Sequence, residues 1–256
     1  MEKLTKEAIE QAITSPVIPE IRVFDVLDST NAECKRLALS DASLPVLITA
    51  VCQTAGRGRM GRSFYSPADT GVYFSVLYEA KGSLENAVTV TGAAAVCVMR
   101  AVRALTGKQT EIKWVNDLYL EGKKVCGILA ECVTAAGETP KLILGIGINL
   151  STEDFPEELT QKAGSLGSDV SHGRLIAAVW DALAPFLADP SDRSWLEDYR
   201  ACSCVLGRSI AWTEEGKTRF GIAEGINDRG ELEVLDESGT RCLLRTGEIS
   251  VRVKIP

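Results

Sequence analysis

The chain has 256 residues, of which 45% are hydrophobic and 25% charged, enough for one large domain with a small companion. Its formal net charge of -7 argues against bulk nucleic-acid binding, which requires a basic surface that displaces counterions. A single histidine, His172, argues equally against histidine-based triads and multi-histidine metal sites.

The first residues, "MEKLTKEAIEQAI", interleave acids with apolar positions and read as an amphipathic helix, not a signal peptide. No apolar run is read as reaching membrane-spanning length, so a soluble, cytoplasmic chain is expected. Residues 21–27 alternate as a strand. Ser29, Thr30 and Asn31 then cap a helix carrying Leu37 and Leu39. Residues 44–54 form a continuous apolar strand, buried on both faces. A Gly/Arg loop, "QTAGRGRMGRSF", leads to another strand at 71–79. The nearly all-apolar helix at 86–105 belongs against a sheet. A strand at 111–115 precedes a hairpin at 117–133, with Glu121 and Gly122 in its turn. A second turn at 135–140 returns the chain as a strand at 141–150. A polar, loop-like segment follows, then helices at 173–188 and 191–203, the first beginning beside His172.

Beyond residue 205 the character changes to five short strands split by Gly, Asp and Asn turns, as in a small β-barrel. The expected fold is therefore α+β: a mixed or antiparallel sheet flanked by helices over 1–204, then the barrel over 205–256. The eight cysteines include no CxxC pair, and the lone CxC of Cys202 and Cys204 is too little for zinc. Reduced, buried thiols are expected.

Three stretches could carry chemistry. In the loop, Gly56, Gly58 and Gly61 alternate with Arg57, Arg59 and Arg62. Guanidinium forks grip phosphate or carboxylate oxygens, and glycines let backbone close on a ligand. The run lacks the Walker A pattern, and its arginines would crowd a Rossmann turn. Composition alone leaves a solvated basic turn or an RNA-touching patch open. The second stretch, "KWVNDLYLEGKKVCGILAE", gathers Lys113, Asn116, Asp117, Lys123 and Lys124 around one hairpin. An Asp near phosphates is a reasonable Mg²⁺ ligand, and a Lys near a reacting carboxylate steadies its developing charge. Solvated hairpin lysines are the plain alternative. The third, "GIGIN", has glycines where a ligand or neighbour approaches closely, and ends on Asn149, placed to read a base edge. A β-bulge with Asn in a turn fits it as well.

Together and in this order, "DSTN", "GRGRMGR", "KWVNDLYLEGKKVCGILAE" and "GIGIN" resemble the motifs of the biotin protein ligases. The resemblance runs from about Ile21 to the C-terminus. It implies a mixed-sheet catalytic domain followed by an SH3-like barrel. It implies that biotin and MgATP give biotinyl-5′-AMP, which then acylates a lysine on a biotin carboxyl carrier protein. By position, Ser29, Thr30 and Gln53 would bond the ureido ring, helped by the Gly56 and Arg57 backbone, with Asn31 and Gly58 in the same motifs. Arg59 and Arg62 would grip the carboxylate and phosphate side. Lys124 would sit near the reacting carbonyl and α-phosphate, and Lys113 near the leaving pyrophosphate. Asn116 and Asp117 would serve ATP and Mg²⁺, Asn149 would face the nucleotide, and Arg252 would reach ATP from the barrel. Met60, Phe64, Val115 and Cys126 depart from the family's arginine, tryptophan, proline and small residue.

The resemblance also frames the alternatives. A lipoate or octanoate ligase has similar chemistry, and a non-catalytic biotin- or RNA-binding module could use the loop alone. Lys113, Asp117 and Lys124 argue against the module, since binding needs no phosphate machinery. With the first catalytic strand starting by Ile21, the enzyme-only form without DNA binding is expected. An exposed sheet edge leaves room for a homodimer. The loop, without apolar anchors before Phe64, is expected to order on its ligands.

Overall fold

The computed structural model describes residues 3–40, 42–79, 87–134, 139–214, 216–245 and 249–251. Seven strands form the larger sheet: β1 Glu20–Leu27, β2 Val46–Gln53, β3 Gly71–Glu79, β4 Glu111–Lys113, β5 Asp117–Leu120, β6 Lys123–Val133 and β7 Lys141–Asn149. They lie in the order β1-β2-β3-β7-β6-β5-β4. Only β1 and β2 run parallel, because the helix α2 (Thr30–Ala38) crosses between them; every other neighbour is antiparallel. The sheet is therefore mixed.

Period-2 alternation sorts its two faces. Leu47, Phe74, Val76, Leu144 and Ile146 join one large cluster with α3 (Ala87–Thr106), α4 (His172–Ala188) and α5 (Trp195–Ala201). Val46, Ile48, Leu77 and Ile143 point the other way and pack with Cys34 and Ala38 of α2. The N-terminal α1 (Lys6–Ala12), capped by Thr5 Oγ1 accepting from the Ala8 amide, lies against α4.

The remaining strands, β8 Ser209–Glu214, β9 Lys217–Ile226, β10 Leu232–Asp236, β11 Arg241–Leu244 and β12 Ile249–Val251, form a second antiparallel sheet in the order β11-β10-β9-β8-β12. This is the expected SH3-like unit. It is tied to the larger body by Trp114 Nε1 donating to the Gly230 carbonyl at 3.0 Å and Arg200 Nε to that of Ile226 at 2.7 Å. Its Ile210, Trp212 and Val234 belong to the same apolar cluster as Trp114 and Trp195.

Several details differ from expectation. Strand β4 stops at Lys113, and Trp114–Asn116 turn, with a cis peptide between Trp114 and Val115. Helix α5 covers only Trp195–Ala201. Leu39 lies past the end of α2 and is 76% exposed. Helix α3 is, by length and composition, long and apolar enough to cross a membrane, contrary to the sequence reading; 67% of that window is buried inside the protein. All eight cysteines are free, but Cys132, near the end of β6, is exposed. Of the second expected turn, residues 135–138 lie outside the described residues.

Candidate active site

The site begins as missing side-chain volume. On the face beneath α2, Ser75 of β3 pairs with Gly145 of β7, and Gly147 of β7 pairs with Gly127 of β6. Three glycines and a serine leave a hollow in an otherwise well-filled face. Two side chains from outside the sheet dip into it. A Cβ on Gly145 would lie 1.9 Å from Asn31 Oδ1, and one on Gly147 would lie 2.6 Å from the Phe64 ring. Phe64 also packs edge-on against Tyr73, with ring centroids 6.3 Å apart.

At one end of the hollow stands the start of α2. Ser29 occupies the N-cap position, yet its hydroxyl makes no capping bond. Gln53, at the end of β2, does that work: its Oε1 accepts from the Thr30 amide at 2.8 Å. Gln53 Nε2 donates to Ser66 Oγ at 2.9 Å, and Ser66 Oγ to the Phe64 carbonyl at 2.9 Å. Ser75 Oγ lies 2.7 Å from Thr30 Oγ1 and 2.6 Å from Asn31 Oδ1. Asn31 Nδ2 donates to Glu131 at 2.9 Å, and Glu131 pairs with Lys35 at 2.7 Å. Burial opposes ionisation of Glu131, but the hydrogen bonds from Lys35 and Asn31 outweigh it and hold its carboxyl below the ordinary value.

The Gly/Arg loop closes the hollow. Phe64 N–H donates to the Gly56 carbonyl at 2.9 Å and Gly58 N–H to that of Arg62 at 2.7 Å, so the loop is a narrow hairpin. Its tip is a single 3-10 turn, Arg59–Gly61, with Met60 and Gly61 at φ 55° and 74°. The second position suits glycine, and Met60 carries the left-handed strain while 77% exposed.

Two spaces result. The inner cavity, about 120 Å³, is lined by Ser29, Thr30, Asn31, Gln53, Arg57, Gly58, Arg59, Arg62, Asn116, Asp117 and Lys124, with Phe64 and the three sheet glycines. The outer cleft, about 720 Å³, shares Arg59, Arg62, Phe64, Asn116, Asp117 and Lys124, and adds Lys113, Tyr119, Asn149, Lys162 and, from β12, Ile249 and Ser250. The shared residues form the wall between a small pocket and a roomy one. Gly56 sits behind this lining, buried in the loop base. Arg252 lies outside the described residues.

Polar contacts organise the wall. Lys124 Nζ is 2.7 Å from Asp117 Oδ1. Arg59 Nη1 donates to Asn116 Oδ1 at 2.9 Å, while Asn116 Nδ2 donates to the Ile128 carbonyl. The Asn116 amide is thus engaged at both ends and holds Arg59. Lys113 Nζ stands 5.4 Å over the Tyr119 ring. Asn149 Nδ2 donates to the Gly164 carbonyl at 2.9 Å, and its buried Oδ1 has no partner, an acceptor suited to an exocyclic amine. Among the described residues, Asp117 is the one carboxylate lining either space, and no cluster of three metal-ligating side chains occurs. That donor set fits a magnesium ion carried in with phosphates better than a resident metal. Burial pushes the Cys126 thiol far above its ordinary value, which removes the motif's one thiol as a nucleophile.

Sequence reasoning gave no role to Glu131, Ser75 or Lys162. A lone Ser inside the apolar "GVYFSVLYE" and the terminal acid of "GILAE" were the available signals.

Comparisons with known proteins agree with this geometry. Residues 23–149 match the Biotin/lipoate A/B protein ligase family, and residues 205–252 match the Biotin protein ligase C terminal domain. Fold and site thus define a ligase of the biotin/lipoate class. The chain is 36% identical over 253 residues to the bifunctional ligase/repressor BirA of Bacillus spizizenii, covering 93% of this chain and 77% of that protein. It is 31% identical over 244 residues to the biotin--[acetyl-CoA-carboxylase] ligase of Mycobacterium tuberculosis, covering 86% and 85% of the two chains. The structure of the biotin protein ligase from Aquifex aeolicus in complex with biotin and ATP superposes with a TM-score of 0.78 at 28% identity, covering 92% of this chain and 99% of that one. The chain belongs to the biotin protein ligase family.

Proposed function

We propose that the chain activates biotin with ATP as biotinyl-5′-AMP and transfers it to a lysine of a biotin carboxyl carrier protein. One observation carries the assignment of the site: a small pocket and a roomy cleft share a wall made of Arg59, Arg62, Asn116, Asp117 and Lys124. Biotin's ring fits the inner cavity and ATP the outer cleft, so carboxylate and α-phosphate meet at the wall. In the first step a carboxylate oxygen attacks the α-phosphorus and the bond to pyrophosphate breaks. In the second, the carrier lysine's amine attacks the acyl carbon and AMP leaves. Neither step needs an enzyme nucleophile.

Ser29, Thr30 and Gln53 bond the ureido ring, and Asn31 holds the floor beneath it. Gly56, Arg57 and Gly58 supply loop backbone, while Arg59 and Arg62 meet carboxylate and phosphate oxygens. Lys124 steadies charge developing at the reacting centre, and Lys113 meets pyrophosphate. Asn149 Oδ1 accepts from adenine's exocyclic amine. Asp117 would hold Mg²⁺ with the nucleotide phosphates, and the bound cation would neutralise charge on the leaving group. Phe64, over Gly127 and Gly147, shields the anhydride from water.

We assign residues 1–204 to catalysis and 205–256 to a unit that borders the nucleotide space, where Ile249 and Ser250 support that role. Partners are the carrier protein and, through the open β1 edge with Val26 58% exposed, a second copy of the chain; the net charge of -7 speaks against nucleic acid.

Pyrophosphate exchange into ATP, run with biotin, with lipoate and with neither, tests the reading. Exchange with biotin alone is expected. Exchange with lipoate would shift the substrate class, and silence with both would reduce the site to a binding pocket.

A further inference from the structure

Tyr199 and Asn227 line neither the cavity nor the cleft, yet both bear on the turn that carries the wall. We propose that they are positioning residues of the adenylation step, clamping Trp114 and Val115 from two sides and so setting Asn116 and Asp117 against Arg59 and Lys124; this rests on the wall being where biotin is adenylated.

Between β4 and β5 the chain turns through Trp114–Asn116. Two other parts of the molecule hold this turn. The Tyr199 hydroxyl, from α5, donates to the Val115 carbonyl at 2.9 Å. Trp114 Nε1 donates to the Gly230 carbonyl of the second sheet's unit at 3.0 Å. Both bonds are buried, so water does not replace either one when it is lost.

Each jaw is itself rigid. The Tyr199 ring packs edge-on against Trp195, with centroids 5.4 Å apart, and a Cβ on Gly92 of α3 would lie 2.7 Å from that Trp195 ring. Burial keeps the Tyr199 hydroxyl protonated, hence a donor. On the other side Asn227 builds the turn that presents Gly230. Its Oδ1 accepts from the Arg229 and Glu231 amides at 2.9 and 3.1 Å, and its Nδ2 donates to Glu231 Oε2 at 2.7 Å. Arg200, next to Tyr199 on α5, reaches the same turn, with Nη2 2.8 Å from Asp228 Oδ1. One short helix therefore holds both jaws.

The clamped residues lead straight into the wall. Asn116 Oδ1 accepts from Arg59, and Asp117 meets Lys124. A misplacement of about 1 Å at a reacting centre costs roughly 100-fold in rate. Ser29, Thr30 and Gln53 lie on other elements, so biotin binding should not sense the clamp.

The test measures single-turnover adenylate formation at saturating ATP, and biotin affinity by calorimetry, on the full chain. Tyr199→Phe and Asn227→Ala should each slow adenylation roughly tenfold and move biotin affinity by less than about threefold. The double variant should be little slower than either single one, because both release the same two residues. Arg200→Gln loosens the same jaw should Asn227→Ala not fold. Wild-type rates in folded variants, rate losses matched by losses in biotin affinity, or losses that simply multiply would each overturn the clamp. Wild type that forms no adenylate from biotin would instead overturn the reading of the site, and the clamp with it.

Discussion

Lys124 Nζ meets Asp117 Oδ1 at 2.7 Å where the inner cavity opens into the outer cleft. The ammonium is thus held at the wall before any anion arrives. The two residues come from neighbouring strands, offset by the irregular register between Leu118 and Tyr119. Replacing Lys124 by Ala should lower single-turnover adenylate formation roughly 100-fold, the scale of losing one well-placed electrostatic group. Biotin affinity should change by less than about threefold, because Ser29, Thr30 and Gln53, which bond the ureido ring, stay in place. An unchanged adenylation rate would remove Lys124 from the mechanism.

The hollow depends on glycine in a way that can be measured. Gly145→Ala puts a methyl 1.9 Å from Asn31 Oδ1, in a strand with no room to yield. Such overpacking costs about 1–3 kcal/mol. A lower melting temperature and weaker biotin binding should appear together. A variant as stable as wild type, with intact binding, would mean that Asn31 has somewhere else to go.

His172 is the sole histidine and lies buried at the first position of α4, with Nε2 unpartnered. Burial lowers its proton affinity below the ordinary value of 6.5, against a smaller opposing pull from Asp69. Below that value the unfolded chain binds the proton more readily than the folded one. Stability is therefore full above about pH 6.5 and is lost as pH falls toward the depressed folded value. His172→Gln should flatten this slope in denaturant melts between pH 5 and 7. An identical slope in the variant would assign it to other groups.

The Gly/Arg loop offers trypsin Arg57, Arg59 and Arg62 on a narrow hairpin. Biotin with ATP should slow cleavage there by roughly tenfold or more, while cleavage elsewhere stays constant. Equal rates with and without ligands would show that the loop does not close over the adenylate.

How much of this could be read from sequence depends on the range of each cause. Glu121 and Gly122, at φ 52° and 77°, turn the hairpin as a local rule requires. The strand at 46–53 and the helix at 87–106 match the unbroken apolar runs at 44–54 and 86–105. The glycines of "GIGIN" announced a close approach but not by what; Asn31 is over 100 residues away, and only the stacking of α2 on β7 brings it there. Glu131 and Ser75 escaped for the same reason, since their partners sit on other elements. Asn116, expected to serve ATP with Asp117, lines the outer cleft, and its amide holds Arg59 and the Ile128 carbonyl as well. Competition among neighbours for one amide is invisible in a linear motif.

The polar stretch after β7 looks like filler, yet it runs alongside Lys124. Lys124 N–H donates to the Lys162 carbonyl and the Gly164 amide donates back to the Lys124 carbonyl, each at 2.9 Å. Main-chain bonds of this kind do not care which side chains flank them, but they are unforgiving of length. The segment therefore behaves as a measured brace: its residues can drift in identity, while a one-residue insertion or deletion between Leu150 and Lys162 would be transmitted directly to the ammonium at the wall between cavity and cleft.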